Sequence, residues 1–318
     1  MANLPEPRVT PSRAFTHTGV DFTGQVELKA NKGRGIKTTR GYIAVFVCFS
    51  TKAIHLELVS DLSTPSFLAA FKRIQRSVAS NNDFLSEVAE MGVTWHFNTP
   101  AWPSAGGLWE AAVKSTKHHL KRVLGEQKLT FEEFTTLLNQ IEACLNFRPL
   151  CALTENKDDS FLTPGHFLVG GPLLSPPLTD FDERCIKTRW QLTEKIHRDF
   201  WRKWSSDYLQ HLQIRSKWKH PQENMKVNDI VLIKEENLPP TKWAMGRVID
   251  VHPGTDGHIR VVTLRTKSGE IKRPIIKLVP LPVNNEHDFS KITLENDEPK
   301  KNDTSTPHCE KIEVCQLH

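Results

Sequence analysis

The chain has 318 residues, of which 38% are hydrophobic, and a formal net charge of +5 at pH 7. This length predicts two domains with connections, and the hydrophobic content is that of an ordinary soluble core. No run approaches 18 apolar residues and the start lacks an apolar signal core, so neither a membrane span nor a secretory signal is predicted. The six cysteines form no CxxC pair. This favours a reduced intracellular chain, nuclear or cytoplasmic.

The charge is divided unevenly along the chain. Residues 283–318 carry eight acids against four lysines, so residues 1–282 have a net charge of +9. A basic body favours polyanionic partners, of which nucleic acid is the commonest. The acidic tail has the composition of a mostly disordered segment.

The first part of the chain predicts three successive strands. Residues 15–23 form the first, with Asp21 near its end. Tyr42–Ser50 is nearly all apolar, as in a strand buried on both faces, whereas Ala53–Val59 alternates apolar and polar residues. The tight Ser50–Lys52 connection predicts that the last two strands pair antiparallel.

A helix capped by Ser63 or Thr64 follows, and the next strand is predicted at Val93–Phe97. Between Ile74 and this strand there is no β-rich apolar run. Asp83 is the acid there that could take a strand-end position, but its setting is typical of the N-cap of a short helix.

The stretch Trp95–Leu124 passes through a Pro/Gly-rich loop and becomes a helix after its glycine pair. Glu110, Lys114, Lys117 and Lys121 fall on one narrow stripe of that helix. An acid at the head of a row of lysines suits a divalent metal held beside a polyanion. The same stripe is typical of a solvated Glu–Lys face, which the helix alone favours.

After a helix that opens with a Thr130/Glu133 capping box, a Pro/Gly-rich connector leads to a basic amphipathic helix at Cys185–Arg215. The apolar residues of this helix predict a core or subunit interface rather than base stacking. Self-association through the Trp190–Trp204 part is therefore a second predicted interaction. The apolar face of this helix comprises Trp190, Phe200, Trp201, Trp204, Tyr208 and Leu212.

The next segment, Lys226–Leu281, has short strands separated by turns, which is the spacing of an SH3-like barrel.

Four stretches, HTGVDFTG, GYIAVFVCFSTKAIHLELVSDLS, PSAGGLWEAAVK and LNQIEACLNFRPL, resemble the integrase of BEL/Pao-type retrotransposons, relatives of the retroviral integrases. The resemblance runs from about Leu4 to Pro282. It implies an α/β fold in four parts: an incomplete ribonuclease-H-like core at 1–150 that lacks one central strand, a connector with the long Trp-rich helix at 151–222, an SH3-like β-barrel at 223–282, and the disordered tail at 283–318. The N-terminal zinc module usual in the family is not expected, because the chain begins just before the core.

Such integrases join DNA by phosphoryl transfer, with three acids that hold two Mg²⁺ or Mn²⁺ ions. By motif match Asp21 is the first acid and Glu110 the third, which makes them the predicted catalytic and metal-binding residues. The second acid has no counterpart. A genomic deletion, a mis-predicted splice and relic decay all remain open as its cause.

The resemblance therefore implies an integrase-derived protein with impaired catalysis. The alternative is a non-catalytic DNA- or chromatin-binding relic of a retroelement polyprotein. DNA is the predicted partner in both cases. The residues predicted to contact it are Lys114, Lys117, Lys121, Lys242, Arg247, Arg260 and Arg273.

Overall fold

The chain forms two compact units. The first comprises residues 1–147, 164–200 and 306–318, and the second comprises residues 148–163 and 201–305. The connector and the Trp-rich helix are therefore divided between the units. The computed structural model describes residues 6–31, 37–78, 94–97, 107–153, 160–173, 183, 185–213, 224–236, 238–282 and 311–314.

The first unit is built on a seven-stranded sheet. Its strands are β1 (His17–Phe22), β2 (Val26–Lys29), β3 (Thr38–Cys48), β4 (Ile54–Val59), β5 (Thr94–Phe97), β6 (Leu129–Thr130) and β14 (Lys311–Val314). β1 and β4 both pair antiparallel with β3. On its other side β1 pairs parallel with β14, which pairs parallel with β5. β2 extends the sheet by pairing with β3 and with β6.

The strand between β1 and β5 comes from the end of the chain. The sequence predicts a sheet without one central strand and a disordered tail at 283–318. Lys311–Val314 instead form β14 in the place between β1 and β5, so the prediction of disorder was wrong for these four residues. The other tail residues lie outside the described ranges, as do residues 79–93 and with them Asp83.

Six helices are described in the two units. They are α1 (Glu6–Val9), α2 (Thr64–Val78), α3 (Gly107–Leu124), α4 (Phe131–Asn146), α5 (Pro164–Val169) and α6 (Arg189–Leu212). The predicted capping box of α4 is confirmed: the Thr130 hydroxyl accepts the Glu133 N–H at 3.3 Å, and the Glu133 carboxylate accepts the Thr130 N–H at 2.9 Å. None of these described helices has the length and apolar composition of a membrane span.

The end of α4 is attached to the sheet by one side chain. Asn146 is fully buried; its amide nitrogen donates to the Ile54 carbonyl at 2.7 Å, and its amide oxygen accepts the Ile54 N–H at 2.8 Å. The side chain thus satisfies both backbone groups of the first residue of β4. This explains structurally why an asparagine ends the helix in the LNFRPL motif.

A charged cluster around the buried His55 also joins α4 to β4. His55 Nδ1 lies 3.1 Å from the Glu142 carboxylate and its Nε2 lies 3.3 Å from Glu57. Glu142 also accepts the Leu56 N–H at 2.9 Å, and Arg73 donates to Glu57 at 2.8 Å. Burial by itself would lower the pKa of His55, but the hydrogen bonds and charges of Glu142 and Glu57 outweigh it and raise this pKa to about 9. His55 is therefore a buried cation at neutral pH.

The second unit has a five-stranded antiparallel sheet in the order β12-β11-β10-β9-β13 and a short β7-β8 hairpin. β12 and β13, at the two ends of the large sheet, do not pair with each other in the described ranges, so the strands do not close into the predicted barrel. The strands are β7 (Cys151–Ala152), β8 (Phe161–Leu162), β9 (Ile230–Ile233), β10 (Ala244–Pro253), β11 (Ile259–Thr266), β12 (Gly269–Pro274) and β13 (Leu278–Pro280), with a 3-10 helix at Ile275–Lys277.

Aromatic residues of α6 pack within the second unit. Trp201 and Trp204 are buried, and the Trp201 ring centroid lies 4.9 Å from that of Trp243. Tyr208 stacks on Trp204 at 5.3 Å. Trp190, in contrast, is 54% exposed. The single broad face predicted for this helix is therefore divided: Trp190 and, at 36%, Leu212 are exposed, whereas Trp201 and Trp204 are buried.

Candidate functional site

Asp21, the predicted first acid, is the next-to-last residue of β1. It is half-buried and lies opposite Val45 of β3 in the antiparallel register. Its Oδ1 accepts the N–H of Phe22 at 2.7 Å. On the other side of β1 the pairs with β14 end at Val20, so Asp21 comes directly after the last of them.

Glu110, the predicted third acid, lies in the first turn of α3. This helix packs against β1 and β3, so the two matched acids belong to elements in direct contact. The Glu110 side chain lies outside the described residues. Farther along the helix, Val113, Thr116 and Leu120 are buried and fix the face that α3 turns toward the sheet.

The three lysines predicted on α3 are all exposed: Lys114, Lys117 and Lys121. A Cβ atom at Gly24 would lie 3.1 Å from the Nζ atom of Lys117. Because glycine has no Cβ, the lysine side chain can lie against the chain just beyond β1. The structure therefore places one ammonium group near the end of the strand that carries Asp21.

Two features of α3 were missed by sequence reasoning. Exposed His118 and Arg122 widen the lysine stripe, with Arg122 Nη1 3.2 Å from His118 Nε2. Their i,i+4 spacing was a usable signal. His119 is 4% exposed and its ring meets Phe200 edge-on at 6.0 Å. That burial depends on a distant part of the chain, so helical periodicity could not reveal it.

The cations predicted in the second unit do not share one environment. Lys242 is exposed, and Arg247 lies opposite Arg265 in the β10-β11 register, which places two like charges together. Arg260 differs, because its guanidinium donates two hydrogen bonds to the Asp256 carboxylate, one of them at 3.0 Å. The charge of Arg260 is thus largely compensated within the chain.

Arg273 belongs to a groove that sequence reasoning did not identify. Four cations, Lys234, Lys272, Arg273 and Lys277, line it together with two acids, which leaves a positive balance. The Lys234 N–H donates to the Lys277 carbonyl at 2.8 Å. Lys234 and Lys277 are far apart in sequence and come together because β9 pairs antiparallel with β13. No local sequence pattern could therefore indicate the groove.

The described side chains, in which a metal-binding group could be recognised, leave out that of Glu110. Within these ranges, no group of three or more His, Cys, Asp or Glu side chains could hold a metal ion. β14 brings one acid, Glu313, to the sheet. Glu313 lies opposite Gly19 in the register, and Gly19 is two positions before Asp21.

Residues 188–281, from α6 to β13, match a family model described as a family of unknown function (DUF5641). A comparison with curated proteins finds no match. Among solved structures, the chain is similar to a chain in the cryo-EM structure of the simian T-cell lymphotropic virus intasome in complex with PP2A regulatory subunit B56 gamma. That similarity has a TM-score of 0.35 and 10% sequence identity, and it covers 90% of this chain and 85% of that chain.

Proposed function

We propose that this protein derives from a BEL/Pao-type retroelement integrase, that it binds DNA, and that its strand-transfer chemistry is impaired. The sequence resemblance around Asp21, Glu110 and Asn146 motivates the proposal. Three antiparallel strands (β4, β3, β1) followed by two parallel ones support a ribonuclease-H-like sheet. The order β12-β11-β10-β9-β13, with a 3-10 helix before the last strand, supports an SH3-like module.

The observation that carries the DNA-binding proposal is the exposed row Lys114, Lys117 and Lys121 on the helix that packs against the Asp21 strand. The first and last of these lysines are seven positions apart, which corresponds to about 10 Å along the helix axis. Successive phosphates of one DNA strand are spaced by about 3.4 Å of axial rise, so the row matches roughly three nucleotides. Lysines placed in this way can neutralise neighbouring phosphates of a single backbone.

The proposal of impaired catalysis rests on the missing second acid. Magnesium requires oxygen ligands and keeps several of its waters, so one or two carboxylates hold at most one hydrated ion. Each ion of a two-metal site contributes several kcal/mol to transition-state stabilisation. At about 1.4 kcal/mol per tenfold, loss of one ion lowers the rate by orders of magnitude. Nearby Lys117 further disfavours a cation beside Asp21.

Self-association through the Trp190–Trp204 helix has weaker support. Trp201 and Trp204 are buried within their own unit, and Trp190 is left as the exposed aromatic side chain of that face. One tryptophan supplies little of the apolar area that a stable interface needs.

The test measures DNA affinity by fluorescence anisotropy at several salt concentrations. We expect the plot of log K against log[salt] for the wild type to be steep, and the triple variant Lys114→Gln, Lys117→Gln, Lys121→Gln to lower the slope by up to about 0.9 per lost contact. The matched control removes three exposed lysines elsewhere in the first unit: Lys37, Lys52 and Lys72. Equal losses in both triple variants would show that net charge alone drives binding, and absence of DNA binding by the wild type would refute the proposal.

A further inference from the structure

We propose that Lys311–Val314 is a built-in ligand of a strand-binding groove between β1 and β5, and that the first unit needs it for a continuous sheet. The proposal concerns an intramolecular peptide-binding site. It does not depend on whether the protein binds DNA.

The strand pairings define the groove. β14 pairs in parallel with His17–Val20 on one side and with Thr94–Phe97 on the other. Among the described strands, β5 pairs with β14 and with no other. Within the described part of the chain, backbone hydrogen bonds therefore connect β5 to the sheet through β14.

The β1 wall of the groove lies in the protein interior. Thr18, Gly19 and Val20, which pair with β14, are buried, and Val20 belongs to the core cluster formed with α2. Buried backbone N–H and C=O groups must find partners, because leaving them without one costs as much as a lost hydrogen bond. Without β14, the backbone groups of Thr18–Val20 that pair with it would lose these partners, so a continuous sheet depends on an occupying strand.

The tail has the properties of that occupant. Its sequence alternates β-branched residues, Ile312 and Val314, with charged ones, a pattern typical of strands. The chain from 283 to 310 that precedes it has 28 residues. Fully extended, a chain of this length reaches about 90 Å. The entropic cost of closing so long a loop grows only slowly with its length.

The test places a proline in the C-terminal strand of the full chain. Ile312→Pro removes a backbone N–H and disfavours the strand, whereas the matched control Ile312→Val retains both the N–H and the strand propensity. We expect amide hydrogen exchange in Thr18–Val20 and Thr94–Phe97 to become about tenfold faster or more in the proline variant. Exchange in β9–β13 of the second unit should stay as in the wild type, and the valine variant should behave like the wild type throughout.

A second measurement on the wild-type chain keeps the test decisive if the proline variant fails to fold. Cross-strand nuclear Overhauser effects are expected between backbone protons of Thr18–Val20 and those of Ile312–Val314, in a chain that sediments as a monomer. Absence of these effects, or unchanged exchange in the proline variant, would overturn the proposal. Effects that appear only in a concentration-dependent dimer would also overturn it, because the strand would then come from a second copy.

Discussion

Replacing Glu142 by glutamine tests the charged cluster around the buried His55 that joins α4 to β4. In the native chain Glu142 lies 3.1 Å from His55 Nδ1 and accepts the Leu56 N–H at 2.9 Å. Glutamine has the same shape but one oxygen acceptor in place of two, so it removes the negative charge and can no longer accept from both His55 and the Leu56 N–H. Of these two losses only the interaction with the buried imidazolium depends on the protonation of His55, so the pH dependence of the deficit reports on it.

The magnitude follows from the pKa of His55. Raising this pKa from its ordinary value of 6.5 to about 9 corresponds to about 3 kcal/mol of stability, at about 1.4 kcal/mol per pKa unit. Glu57 supplies part of it, but Glu142 makes the larger favourable contribution, so we expect Glu142→Gln to lower the free energy of unfolding by about 2 kcal/mol near pH 6. Because the folded-state pKa lies above the unfolded one, this stabilisation is fully present below pH 6.5. It disappears as the pH rises through 9.

The assay is urea denaturation of the wild type and the variant between pH 6 and pH 10, with the His55 ring titrated by NMR. The matched control is Glu126→Gln, which makes the same chemical change at an exposed site. We expect the control to change stability by less than about 0.5 kcal/mol at every pH. Equal losses in the two variants, or a Glu142→Gln deficit that persists undiminished at pH 10, would refute the assignment of a buried His55 cation.

Two further predictions concern single side chains. Asn146→Ala leaves two buried backbone groups of β4 without partners and should lower the free energy of unfolding by about 3 kcal/mol in denaturant titrations. The control Asn139→Ala, on the exposed side of the same helix, should have little effect. Similar losses in the two variants would contradict the role of the buried amide. Arg273→Gln should reduce the slope of log K against log[salt] for DNA binding by about 0.9. Arg260→Gln should reduce this slope by less, because Asp256 already compensates the charge of Arg260. The reverse order would contradict a role of the basic groove of the second unit in DNA binding.

Elements with strong local signals were predicted from the sequence within a few residues. The apolar run predicted as a strand at Tyr42–Ser50 belongs to β3 at Thr38–Cys48, and the predicted helix after the glycine pair is α3 at Gly107–Leu124. Periodicity sufficed here because these elements are long and their burial pattern repeats along the chain. The exposed lysines of α3 followed from the same periodicity.

The C-terminal strand could not be predicted in this way. Lys311–Val314 has only four residues, inside a tail whose composition indicates disorder, and its two partner strands lie far away in sequence. Pairing of this kind depends on tertiary structure, because the edges of β1 and β5 create the place that the strand fills. The groove around Arg273 was missed for the same reason.

Local contacts were also overlooked where a residue was considered alone. Asp256 lies in the turn before β11 and Arg260 is the second residue of that strand. Their opposite charges and close spacing could have indicated the ion pair from sequence. Counting Arg260 simply as a cation of a basic module overestimated its availability to phosphate. Trp190 was similarly grouped with Trp201 and Trp204, although these residues belong to different compact units.

Strand joining tests the central claim most directly: that this chain is an integrase derivative that binds DNA without carrying out integrase chemistry. The assay follows insertion of a short duplex end into plasmid DNA in Mn²⁺, for the wild type and for the Asp21→Asn, Glu110→Gln variant. We predict the same background in both, with DNA binding by the wild type measured in the same buffer. Joining by the wild type that the double substitution abolishes would contradict the account, because it would require another acid to complete the metal site.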